Sequence, residues 1–273
     1  MKLYAISDLH LDHEANRLAL AALPAQPEDW LIVAGDVSSS TAHIERGLGE
    51  LRRRFARVLW VPGNHDLWSV PDDPCPLVGV ARYERLVEIC RRLDVLTPED
   101  PYPLWSGAGG PCRIAPLFVL YDYSFRPAEV PFERAIDWAV ESGVLCADER
   151  YLVPTPHPTR QAWCEDRLRR TFPRLEAAAA EGPLVLVNHF PLRRDLAVLP
   201  RIPRFTIWCG TTRTEDWHVR FRARVVVSGH IHIRRTDWRD GVRFEEVSLG
   251  YPSQWRSDRG VRGYLREILP GPS

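Results

Sequence analysis

Lys2–His10 (KLYAISDLH), Trp30–Asp36 (WLIVAGD) and Arg57–Asp66 (RVLWVPGNHD) share one pattern. Each is a short apolar run that stops abruptly in acidic, amide or imidazole side chains. Apolar runs of this length without polar alternation predict strands buried on both faces. They place strands at Lys2–Ser7, Trp30–Ala34 and Arg57–Val61. Between them, helical spacing predicts helices over Asn16–Leu23 and Thr41–Phe55, the second capped by Thr41. Strand and helix in alternation define an α/β sheet covered by helices. Ligands of such sheets bind beyond the carboxyl ends of the strands, so the three polar clusters are expected to converge.

The rhythm breaks over about 68–181, where Pro71, Pro74, Pro76, Pro98, Pro101 and Pro103 mark loops. Helices are expected at Pro131–Ser142 and Thr159–Ala180, with Pro173 kinking or breaking the second. No clean linker bounds this stretch. The expectation is therefore a single domain over 1–273 that includes a cap-like insertion at about 68–181. The core rhythm returns at Leu184–Val187, which ends in Asn188-His189, and at Arg224–Val227, which ends in Ser228-Gly229-His230-Ile231-His232. Val242–Leu249 and Gly263–Ile268 read as closing strands, which implies a second sheet and a sandwich.

The strand ends supply Asp8, His10, Asp36, Asn64, His189, His230 and His232: two carboxylates, one amide oxygen and four imidazoles. Imidazole with carboxylate suits Mn, Fe, Zn or Co better than Ca or Mg. Seven ligands exceed what one catalytic transition metal takes and suit two metals that share a carboxylate. In extended backbone, residues i and i+2 point the same way. Asp8 with His10, and His230 with His232, would each aim two side chains into one cavity. Gly35, Gly63 and Gly229 each precede a ligand and permit a tight turn off a strand.

DLH, GD, GNHD, NH and GHIH, in that order from Asp8 to His232, resemble the five motifs of the calcineurin-like metallophosphoesterases. The resemblance implies a four-layer α/β/β/α sandwich with the insertion between the third and fourth motifs. It implies that Asp8, His10, Asp36 and His232 hold one metal, and that Asp36, Asn64, His189 and His230 hold the other. A hydroxide bridging the metals would attack phosphorus in line. His65 would protonate the leaving oxygen or stabilise charge on the phosphate, oriented by Asp66. The sequence departs from the protein Ser/Thr phosphatases, since Asp36 is followed by VSSST rather than by their phosphate-gripping Asp and Arg. It departs from the purple acid phosphatases at Ser39 and from a lipid-A-pathway branch at His65. YDYSF (Tyr121–Phe125), CGT (Cys209–Thr211) and GYPSQW (Gly250–Trp255) resemble an actinobacterial subgroup that includes phosphopantetheine hydrolases. The substrate expected is thus a small-molecule phosphodiester or a phosphopantetheinyl group on an acyl or peptidyl carrier protein, with Mn the favoured metal. Tyr121, Asp122, Tyr123 and Arg126 are the candidate substrate-binding residues.

Composition excludes several classes. The 36 basic and 36 acidic residues balance, and no basic strip argues for a nucleic-acid track. A DNA nuclease of the same superfamily and a non-catalytic scaffold stand as the alternatives. The start at Met1–Ser7 carries no signal-peptide pattern, and no apolar run approaches a membrane span. Cys75, Cys90, Cys112, Cys146, Cys164 and Cys209 form no CxxC pair, which fits reduced thiols in a cytoplasmic protein. His13 reads as a solvated helix-start residue, and His43, His157 and His218 as surface histidines. GAGG at Gly107–Gly110 reads as a turn, Arg193 and Arg194 as a solvated basic face, and Cys209 as a small buried hydrophobe.

Overall fold

The computed structural model describes residues 1–73 and 75–271. Pro74, expected to mark a loop, and residues 272–273 lie outside the described residues. Among the described residues eleven strands run in chain order: β1 (Leu3–Ile6), β2 (Gln26–Val33), β3 (Phe55–Trp60), β4 (Val95–Leu96), β5 (Leu104–Trp105), β6 (Cys112–Pro116), β7 (Leu184–Val187), β8 (Ala223–Ser228), β9 (Arg235–Arg239), β10 (Val242–Glu246) and β11 (Arg266–Leu269). The helices are α1 (Glu14–Ala21), α2 (Thr41–Arg54), α3 (Asn64–Leu67), α4 (Gly79–Arg92), α5 (Ala135–Val140), α6 (Asp148–Tyr151), α7 (Arg160–Glu181) and α8 (Trp217–Arg220).

Two sheets form. The first has the order β11-β1-β2-β3-β4 and the second β5-β6-β7-β8-β10-β9. In the first, β1 to β4 are parallel and β11 is antiparallel to β1. The second has a parallel centre, with β5 and β9 antiparallel at its edges. Alternation along each strand separates two apolar layers. Leu3, Ala5, Ile32, Ala34, Leu59 and Val61 of the first sheet share one cluster with Val185, Val187, Val225 and Val227 of the second. Those are the facing sides of a sandwich. Their neighbours Leu31, Val33, Val58, Trp60, Leu184, Leu186 and Val226 join a larger cluster with helical residues. The result is the α/β/β/α arrangement. At the site end the sheets are joined: Ser7 N donates to the Val247 carbonyl (3.1 Å), and Leu249 N to that of Ser7 (2.8 Å).

α2 shows why these helices form. Ile44, Leu48 and Leu51 recur at helical spacing and are fully buried, and each such side chain contributes about 1.5–3 kcal/mol of burial. Its last turn carries Arg52, Arg53 and Arg54, which favour the negative end of the helix dipole. Thr41 does not cap it. Ser40 is the N-cap, without a side-chain bond, and Thr41 Oγ1 donates to Asp73 Oδ2 instead (2.7 Å). In α7, Thr159 is the N-cap and Oγ1 accepts from Ala162 N (3.1 Å). Pro173 does not break this helix, which runs unbroken over 22 residues. Leu168, Leu175 and Ala178, buried on either side of the proline, hold both halves to the core. The last strand begins at Arg266 rather than Gly263, because Val261–Tyr264 form a 3-10 turn.

The stretch 68–181 supplies β4 to the first sheet and β5 and β6 to the second. His218 is buried rather than on the surface, with Nε2 2.8 Å from Asp240 Oδ2. Gly107–Gly110 is a turn, closed by a bond from Gly110 N to the Gly107 carbonyl (3.0 Å).

Candidate metal centre

Asp8, His10, Asp36, His230 and His232 all have left-handed backbone, with φ of 53°, 42°, 52°, 73° and 53°. This corrects the alternation argument. The i and i+2 pairs do share one cavity, but they reach it through left-handed turns past the strand ends. Asp, Asn and His tolerate that region better than other side chains. The loops hold one another there: Asp8 N donates to the Gly35 carbonyl (2.9 Å), His10 N to Asp36 (3.1 Å) and Gly250 N to Asp8 (3.0 Å). Of the three glycines, Gly35 needs conformational freedom, with φ 90°. Gly63 is required for close approach, because a Cβ there would collide with the Asp36 carboxylate.

The structure brings all seven expected side chains together. Asp8 Oδ1 is 3.0 Å from His232 Nε2 and 3.9 Å from His10 Nε2. His189 Nε2 is 3.4 Å from Asp36 Oδ2 and 3.2 Å from Asn64 Oδ1. His230 Nδ1 is 3.2 Å from the same Asn64 oxygen. Asp8, His10 and His232 have donor atoms within 4.8 Å of one another, as do Asp8, Asp36 and His189, and also His10, Asp36 and His65. Asp36 thus lies between the two sides.

Neighbouring groups fix which atom each residue offers. Asp8 Oδ2 accepts from Ser7 Oγ (2.5 Å), Ser248 Oγ (2.7 Å) and His230 N (3.1 Å), which leaves Oδ1 toward the cluster. Ser248 also touches Glu246, whose acid is pushed up to about 7 by burial and the charge on Asp8. His189 Nδ1 donates to the Ala34 carbonyl (2.8 Å), and His232 Nδ1 to Gln254 Oε1 (2.7 Å). Each therefore turns Nε2 inward, the way metal-ligating histidines are commonly held.

Electrostatics describe a cluster strained by its own donors. Burial lowers His10 to about 3, with the charge on His65 adding to it. Burial and the charge on His189 lower His230 to about 3. His189 rises to about 10 and His232 to about 9, because Asp36 and Asp8 outweigh their desolvation. Asp8 and Asp36 are held below the usual carboxylate range despite burial, by His232 and His189 respectively. His230 Nε2 is buried without a partner. Two carboxylates, an amide oxygen and four imidazoles at 3–4 Å are a donor set that divalent cations fit.

His65 and Asp66 part company. Asp66 is fully buried, and its carboxylate does not reach His65. Oδ1 accepts from Val37 N (2.8 Å) and Ser38 N (3.2 Å), and Oδ2 from Gly63 N (3.0 Å) and Trp60 Nε1 (3.3 Å). It ties the Asp36 loop to the Gly63 loop. Burial and the charge on Asp36 push its acid up to about 7, against those donors. His65 instead stacks on Trp68, ring centroids 3.6 Å apart, and meets His10 edge-on at 4.7 Å.

A cavity of about 570 Å³ opens over this floor, lined on one side by Asp36, Asn64, His65, His230 and His232. Leu199, Ile202, Phe205, Ile231 and Ile233 supply an apolar wall of the same cavity. The sequence reading missed this wall, and also Trp68, Asp148 and the task of Gln254. Tyr121, Asp122, Tyr123 and Arg126 do not line this cavity. Tyr121 is buried in the core, and Tyr123 donates to Glu149 Oε1 (2.6 Å). Asp122 accepts from Thr211 Oγ1 (2.8 Å), and Arg126 donates to the Val130 carbonyl (2.8 Å). Arg193 Nε donates to Asp195 Oδ1 (2.8 Å), and Arg194 Nη1 donates to the Arg126 carbonyl (3.3 Å). Cys209 is a buried free thiol pushed up by burial, as a small hydrophobe should be.

The fold and site are those of a metal-dependent phosphoester hydrolase. The family profile for calcineurin-like phosphoesterase matches residues 1–234, and the chain belongs to that family, whose members use divalent metal ions. Over 272 residues it is 51% identical to the acyl-carrier-protein phosphodiesterase PptH of Mycobacterium tuberculosis, covering 99% of this chain and 84% of that protein. The crystal structure of the phosphopantetheinyl hydrolase PptH from the same organism overlays with a TM-score of 0.95 at 50% identity, covering 99% of this chain and 96% of that one. Among the described residues, no helix is long and apolar enough to cross a membrane.

Proposed function

We propose that this chain hydrolyses the phosphodiester that joins a phosphopantetheinyl arm to a carrier protein. The observation that carries the reading is the seven-donor floor beneath a 570 Å³ cavity with one apolar wall. A bare phosphate needs no such wall, whereas a carbon-rich arm does. The similarity to the mycobacterial phosphodiesterase supports the same substrate class.

Asp8, His10, Asp36 and His232 are assigned to one cation, and Asp36, Asn64, His189 and His230 to the other, with Mn favoured over Fe, Zn and Co. Two such ions supply Lewis acidity and lower the pKa of water near the phosphorus. Asp36 is the shared ligand. Ala34 and Gln254 engage Nδ1 of His189 and His232, so Nε2 is the nitrogen each ring would offer to a cation. His65 lines the cavity beside this floor and is assigned the proton given to the leaving oxygen. Leu199, Ile202 and Phe205 shield the arm from water. We assign the chain to one domain, with part of 68–181 as the cover of the site, and to the cytoplasm.

The test is mass spectrometry of a holo-carrier protein incubated with the purified chain and Mn²⁺. Loss of the phosphopantetheine mass is expected, with single-stranded DNA left intact. Ile202→Glu, at an exposed point of the wall, should raise KM for the holo-carrier and leave bis-p-nitrophenyl phosphate turnover unchanged. Cleavage of DNA with the holo-carrier untouched would favour the nuclease reading. Cleavage of neither would favour the scaffold.

A further inference from the structure

Asn64 has two orientations open to its amide, and they are chemically opposite. One turns a carbonyl oxygen toward His189 and His230, and the other turns two N–H donors there. The oxygen faces inward, 3.2 Å from both rings. Behind it, Asn64 Nδ2 donates to Asp148 Oδ1 at 2.9 Å. The same Asp148 oxygen accepts from Trp68 Nε1 at 2.6 Å, and Trp68 is the ring on which His65 stacks. Facing two N–H groups, this oxygen can only accept. A flipped Asn64 would set its own oxygen against it.

Asp148 has no counterpart among the five motifs. It stands 84 residues beyond Asn64 and is fully buried. Its position is held firmly. Arg160 donates to the carbonyls of Asp148 (2.7 Å) and Leu152 (2.9 Å) and pairs with Glu149 (2.8 Å). Glu149 also accepts from Tyr123 (2.6 Å) and Trp208 (2.7 Å). Asp148 Oδ2 and the Tyr121 hydroxyl are both buried without a partner at hydrogen-bonding geometry, and the tyrosine faces that carboxyl.

We propose that Asp148 is a positioning residue, which locks the Asn64 carbonyl toward the cation site and the Trp68 indole against His65. It works through these two side chains and does not touch substrate. The inference rests on the assignment of Asn64 as a cation ligand. It also gives α6 a task that packing alone does not, since burying a lone carboxylate is costly unless its oxygens are used.

The test is Mn²⁺ titration of metal-free protein by calorimetry, with no substrate present. Asp148→Ala should weaken one of two Mn²⁺ sites by about 10–100-fold, the usual effect of removing a group that orients a ligand. The other site should be little changed. Asp148→Asn keeps an acceptor oxygen and should restore the wild-type isotherm; Asp148→Ser replaces the alanine variant if that one does not fold. Equal weakening of both sites, or no rescue by Asn, would mean a merely structural role and overturn the proposal. Asn64→Ala separates the two levels. If it leaves both affinities intact, the ligand assignment falls and this proposal with it. If Asn64→Ala weakens one site and Asp148→Ala weakens neither, Asp148 alone is refuted.

Discussion

Replacing Asp66 with Asn separates two accounts of the GNHD motif. If Asp66 orients His65, the variant should fold normally and lose turnover, most severely on substrates with poor leaving groups. The structure argues otherwise. The carboxylate receives four buried N–H groups, two at each oxygen. An Asn amide keeps one oxygen and puts an NH₂ where the other stood. However the amide turns, two donors then lose their acceptor: the Val37 and Ser38 amides, or the Gly63 amide and the Trp60 indole. Each unsatisfied buried group costs about 1–3 kcal/mol, so the variant should lose about 2–6 kcal/mol. That is a large part of the total for a protein with about 5–15 kcal/mol of stability. The assay is urea unfolding followed by tryptophan fluorescence, with saturating Mn²⁺. Turnover of bis-p-nitrophenyl phosphate and of an alkyl diester is measured on the folded fraction. A midpoint shift worth less than about 0.5 kcal/mol, the size of a neutral surface change, with a selective loss on the alkyl diester, would refute the tie between the two loops.

His65→Ala should lower kcat on an alkyl diester by about 10²–10⁴-fold, the range for general acid catalysis, with Mn²⁺ content unchanged by elemental analysis. The loss should shrink on a p-nitrophenyl ester, and an equal loss on both would exclude proton donation. Asp36→Asn should be the most damaging ligand change; a variant that keeps two Mn²⁺ ions and near-normal turnover would contradict the shared-ligand assignment. Gly63→Ala places a Cβ against the Asp36 carboxylate, so Mn²⁺ retention on gel filtration should fall while far-UV circular dichroism stays close to wild type. Arg82→Met strips the buried Asp73 carboxylate of its charged partner at 2.5 Å and should cost about 3–5 kcal/mol in urea unfolding. Against burial, Arg82 and Thr41 hold the Asp73 acid below the ordinary aspartate value of about 3.9. This stabilisation is present above that value and disappears as pH falls through the folded pKa, so the gap between variant and wild type should close in acid.

The strands of the centre were legible because parallel strands buried on both faces read as continuous apolar runs. Leu184–Val187 was placed to the residue, and β1, β2 and β3 were located with their ends shifted. The donor set was legible for a related reason: each donor follows a strand directly, so one-dimensional order carries the three-dimensional convergence. Where that link fails, reading fails. Asp148 sits in CADERY, outside all five motifs, and its partners Asn64 and Trp68 lie 80 or more positions away. Asp66 follows His65 in sequence, which invites a pairing, yet the single turn of α3 sends the two side chains apart. The apolar wall at Leu199–Phe205 has neither strand nor helix periodicity, since a 3-10 turn from Pro203 to Trp208 forms part of it.

The left-handed residues connect fold to chemistry. Non-glycine residues in sparsely populated backbone regions cost of order 1–3 kcal/mol each and persist only where their surroundings over-determine them. Here five of them carry the donors of one cluster. What over-determines them is visible in the joints: β1 and β2 exchange backbone bonds past their ends through Asp8, His10 and Gly35, and the second sheet reaches across at Ser7, Val247 and Leu249. The His230–His232 loop is tied to the first sheet by the bond from His230 N to Asp8 Oδ2 (3.1 Å). Two facing sheets, fused at one edge above a shared apolar layer, allow donors from both to be held at 3–4 Å. At that spacing Asp36 and Asp8 raise His189 and His232, while burial, helped by neighbouring imidazoles, lowers His10 and His230. Proximity that is unfavourable for the bare side chains is what a pair of divalent cations requires. The sandwich supplies the rigidity that keeps the donors from moving apart.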